Sequence, residues 1–74
     1  MTNATITEIK RILRLHEIAE EKVEFNYNGT KVINPMQQAA ANRLYNRAYN
    51  LKGDITGQEF ARIHREVIIE MKNK

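Results

Sequence analysis

The stretch Asn42-Arg-Leu-Tyr-Asn-Arg-Ala-Tyr-Asn50 holds the side chains best suited to recognition chemistry in this 74-residue chain. It repeats an Asn-Arg-x-Tyr tetrad at a four-residue spacing, close to one helical turn. On a helix, Asn42, Asn46 and Asn50 form one ridge, with Arg43 and Arg47 along one flank. Tyr45 and Tyr49 lie along the other flank, nearer the apolar side. Arginine grips phosphate or the guanine edge, and asparagine pairs bidentately with adenine. Tyrosine stacks on an unpaired base or donates to phosphate. Arg43, Asn46, Arg47, Tyr49 and Asn50 are therefore candidate nucleic-acid contacts, with Lys31 as an auxiliary one. The same residues also suit a protein partner, or a solvated helix face whose tyrosines cover the core edge.

Charge distribution favours the first of these. The chain carries 12 Lys and Arg against 9 Asp and Glu, a net +3. The segment 25–53 contains Lys31, Arg43, Arg47 and Lys52 and no acid, so the basic character is local.

His16 and His64 are the other residues with chemical potential, and both fall on apolar stripes. A zinc site would need carboxylates as its further ligands, because the chain has no cysteine. No His-x-x-x-His, Glu-x-x-His or Asp-rich calcium loop occurs, so histidines bonded to backbone carbonyls at the core edge are expected, with no metal or other cofactor. No Gly-rich phosphate loop or activated nucleophile accompanies them, and an enzyme is not expected.

The elements that must position these residues are legible in turn. Thr5 and Glu8 have capping-box spacing. Ile6, Ile9, Ile12, Leu13, His16, Ala19 and Val23 recur at threes and fours, predicting an amphipathic helix from about Ile6 to Lys22. Val23, Phe25 and Tyr27 alternate with Glu24 and Asn26, and Asn28-Gly29 suits a type I′ turn. The resulting hairpin pairs Tyr27 with Thr30 and Phe25 with Val32, and this face is expected to pack on helices. Asn34-Pro35 starts a second helix whose apolar face is Met36, Ala40, Ala41, Leu44, Ala48 and Leu51. Lys52-Gly53 ends it. Thr56 and Glu59 then cap a third helix, with Ile55 stapled onto Phe60 and Ile63, His64, Val67, Ile68 and Met71 following on one face. The fold class is α+β: helix, β-hairpin and two-helix hairpin in one small domain, 1–74.

The residues Leu44, Gly53, Ile55, Thr56, Glu59 and Phe60 resemble the pattern of SHOCT modules, short helical hairpins, over residues 44–71. That resemblance implies an interaction module and carries no functional residues across. The Ala-, Asn- and Tyr-rich helix before Gly53 departs from the Leu-rich one usual there.

Ile18 and Ile69 point about opposite the core stripes of their helices, and Leu15 broadens the first helix's stripe. With Tyr45 they make a candidate partner surface, for a homodimer or a foreign protein. No apolar run approaches the ~20 residues of a membrane span, and the N-terminus lacks a secretory pattern. Acidic residues on the first helix's polar face speak against a membrane surface. The expectation is thus a cytosolic, bacterial or viral binding protein. It is a nucleic-acid-binding regulator using the tetrad, or a protein-interaction module such as a phage or mobile-element inhibitor or adaptor.

Overall fold

In the computed structural model, which describes residues 3–73, the chain runs α1 (Asn3–Glu21), β1 (Glu24–Tyr27), β2 (Thr30–Ile33), α2 (Pro35–Leu51) and α3 (Gly57–Lys72). The class is α+β as expected, with a two-stranded antiparallel hairpin and two later helices that pack on the first. The predicted stripe of α1 is its buried face: Ile9, Ile12 and Leu13 are fully buried, and His16, Ala19 and Val23 nearly so. Ile9, Ile12 and Leu13 meet Ala48 of α2 and Phe60, Ile63 and Val67 of α3 in one cluster. The central element is therefore α1. Although α2 and α3 are consecutive, they share α1 as their main support, and aromatic rings from both touch at one edge.

Local chemistry explains most boundaries. Asn34 caps α2 by accepting from the backbone N–H of Met36 (3.0 Å) and Gln37 (3.3 Å), with Pro35 at the first helical position. Gly53, at φ +54°, takes the left-handed conformation that stops the helix. The hydroxyl of Thr56 accepts from the Glu59 N–H at 3.2 Å to open α3. Glu59 itself turns to Arg62 instead of reaching back, so only half of the anticipated capping box forms. Ile55 packs against the core as a staple would.

Three expectations need correction. The first helix already runs from Asn3, which places Thr5 and Glu8 inside it. Glu8 instead holds Arg11 one turn on (2.5 Å), so this pair is not an N-terminal capping box. On α2 the buried positions are Ala41 and Ala48, whereas Met36 is 81% exposed and Leu51 is also exposed. The small alanines let α2 approach α1 closely, and that seam, not the bulkiest apolar residues, sets the helix rotation.

The third correction concerns the hairpin. Its register is the predicted one, Phe25 opposite Val32 and Tyr27 opposite Thr30, and Asn28 (φ 52°) with Gly29 (φ 80°) make the turn. Yet both strands stand away from the helices: Tyr27 is 65% exposed, and Phe25 and Ile33 are exposed on opposite faces. Val23 alone docks fully, and a 2.7 Å bond from the Asn34 N–H to the Val23 carbonyl closes the hairpin's base. A β-carbon at Gly29 would meet nothing within 4 Å, so the constraint there is purely the positive φ. Gly29→Val should cost the turn about 1 kcal/mol or more. Because the hairpin is peripheral, the loss should show as vanished Phe25–Val32 cross-strand contacts in NMR spectra while helical circular dichroism persists. Retained cross-strand contacts would rule out a conformationally demanding turn.

Candidate nucleic-acid interface on α2

The Asn34 cap and the alanine seam fix the rotation of α2, and that rotation decides what the tetrad presents. With Ala41 and Ala48 turned inward, Arg43, Asn46, Arg47 and Asn50 come together along one open groove of about 610 Å³. Leu51 and Glu8 complete its lining. Neither arginine makes a salt bridge or hydrogen bond among the described residues. By contrast Lys10 bridges to Glu66 and Glu70, Arg11 to Glu8, and Arg62 to Glu59 and Glu66. Asn46 and Asn50 are likewise uncommitted, while Asn42 accepts from the Gln38 amide at 3.2 Å.

Glu8 is the residue that sequence reasoning missed. The segment 25–53 has no acid, but the fold lays α1 beside α2 and brings a carboxylate to the groove. The hydrogen bond from Arg11 holds the Glu8 carboxyl below the usual carboxylate range, with Arg47 contributing a smaller pull. Glu8 is therefore an anion already matched by Arg11, and it subtracts little from the arginines' field. A signal was present: Glu8 lies on the first helix beside its apolar stripe, which must face another helix.

The tyrosines divide. Tyr45 packs against His16 (ring centroids 5.4 Å), Phe60 (5.7 Å) and His64 (6.0 Å), so it is a half-buried ring at the edge of the core. Tyr49 is exposed, yet Phe60 meets it edge-on at 5.5 Å and the Lys52 ammonium lies 4.7 Å from its centroid. Lys52 also donates to the Ile55 carbonyl at 2.9 Å, which ties it to the turn. Lys31 is exposed on the hairpin and does not line the α2 groove. Leu15, Ile18 and Ile69 are exposed as expected, the first two adjacent on α1 and the third on α3.

No helix among the described residues is long and apolar enough to cross a membrane. No protein-family model, curated protein or solved structure matches the chain.

Proposed function

We propose that this protein binds nucleic acid through the α2 groove, without catalysing a reaction on it. The observation that carries this reading is the presence of two arginines free of salt bridges, side by side with two uncommitted asparagines, in one open groove. Arg43 and Arg47 lie one turn apart, a spacing that lets both address one phosphate backbone. Asn46 and Asn50 sit in the same groove and supply the donor–acceptor pairs that base edges require. Tyr49, exposed beside the groove, supplies an aromatic ring for an unpaired base. Lys31, out on the hairpin, serves as a second anchor for a longer strand.

Retention of the folded protein on DNA, RNA and heparin across a salt gradient tests the proposal. Elution should move to higher salt than for a protein of equal net charge lacking such a cluster. Absence of retention on all three at low salt would leave the groove as a protein-facing or solvated surface. The alternative, a protein-interaction module, draws on Phe25, Tyr27 and Ile33, whose exposure on a projecting hairpin is unusual for large apolar groups.

A further inference from the structure

We infer that His16, Glu17 and His64, with Glu20 as fourth ligand, form a zinc site that clamps α3 to α1. Four observations converge on it. One ligand atom from each of His16, Glu17 and His64 lies within 4.8 Å of the others. His16 is only 7% exposed, and its Nδ1 is 2.8 Å from the Ala41 carbonyl oxygen. A carbonyl can only accept, so Nδ1 is the donor in this bond and Nε2 is the ring nitrogen left over for a metal. Such a bond is the usual outer-shell support of a metal-bound imidazole.

His16 Nε2 lies 3.8 Å from a Glu20 carboxylate oxygen, which places a second carboxylate beside the cluster. Beside them His64 Nε2 lies 3.0 Å from Glu17 Oε1, bridging α3 and α1. Ligand atoms around tetrahedral zinc, with bonds of about 2.0–2.1 Å, stand roughly 3.3 Å apart. The two histidine–carboxylate separations, 3.0 Å and 3.8 Å, fall either side of that value, while the His16, Glu17 and His64 atoms lie within 4.8 Å of one another and must draw together on binding. On binding, the His64 Nε2 proton leaves or moves to Nδ1, and that nitrogen becomes a ligand.

The donor set selects the cation. Two imidazoles and two carboxylates suit zinc, whereas calcium and magnesium want six or more oxygens. An approach exists, since Glu17, Glu20 and Glu21 line an open groove of about 470 Å³, opposite Lys72. The clamp also has a purpose. A small chain without cysteine has no disulfide to brace it, and α3 is the helix less extensively packed on α1. The cluster does not share a residue with the α2 groove, so it stands independently of the nucleic-acid proposal.

Zinc titrated calorimetrically into chelator-treated protein should bind one ion per chain. At ~100-fold excess over Kd the thermal midpoint should rise by roughly 10–20 °C. X-ray absorption at the zinc edge should show two imidazole ligands and no sulfur. Since His16 is buried and its replacement endangers folding, the half-buried partners make the better variants. His64→Gln and Glu17→Gln should each weaken zinc binding at least ~10-fold while circular dichroism stays helical. A wild type that takes up no zinc, or equal binding by both folded variants, overturns the site. Either result would leave two histidine–carboxylate pairs, His16–Glu20 within α1 and His64–Glu17 joining α3 to α1.

Discussion

Leu13→Ala should lower the thermal midpoint by about 10–30 °C, enough to leave much of the population unfolded at modest temperature. Leu13 is fully buried on the central helix, in the cluster that joins Ile9 and Ile12 to Ala48, Phe60, Ile63 and Val67. Truncating a buried leucine costs about 2–5 kcal/mol, the transfer energy of the lost atoms plus that of the cavity left behind. A chain of 74 residues has a total stability of roughly 4–11 kcal/mol, so this is a large share. Both later helices lean on the same patch of α1, so neither can collapse into the cavity without leaving the other. Met36→Ala is the fitting control: that side chain is exposed and its loss should change stability by no more than about 0.5 kcal/mol. Urea and thermal melts followed by circular dichroism give both numbers. Equal midpoints for the two variants would displace α1 from the centre of the structure.

Replacing Arg43 and Arg47 together by alanine should remove most of the binding proposed for the α2 groove. Each arginine that neutralises one phosphate contributes about −0.9 to the slope of log affinity against log salt. The double variant should therefore flatten that slope by about two and weaken all sequences alike, because phosphate contacts position without specifying. Asn46→Ala and Asn50→Ala should behave differently, relaxing base preference while leaving the slope intact. Tyr49→Ala should weaken single-stranded binding more than duplex binding. Its ring also rests on Phe60, so the melting midpoint must be measured beside the affinity. The arginines lie outside the core cluster, so the double variant should fold as the wild type does. An unchanged salt slope would show that the groove's arginines do not meet phosphate.

How far the sequence reached depended on whether the deciding physics was local. The stripe of α1, the Asn34 cap, the Asn28-Gly29 turn and the strand register are consequences of periodicity and backbone preference, and all were readable. The rotation of α2 was not, because apolar size pointed to Met36 and Leu51 while close packing favoured the alanines. Nor was the placement of the hairpin: alternation says which residues share a face, and nothing local says whether another element covers it. At the candidate site the tetrad's face was legible, but Glu8 beside it and the meeting of His16 with His64 depend on contacts between distant segments. Tyr45 illustrates the same limit, since its spacing fits the rim equally well whether the ring points out or in.

The closed base of the hairpin has a consequence for how this protein can change over generations. The chain leaves the helical body at Val23 and returns at Asn34 through one 2.7 Å hydrogen bond, so everything between is an appendage. Substitutions there are largely screened from the energetics of the three helices, whose cohesion rests on other side chains. Selection can therefore remodel strand composition, or lengthen the loop, with little risk to the scaffold. The three helices serve as the chassis, and the ten residues of Glu24–Ile33 as the part most open to innovation.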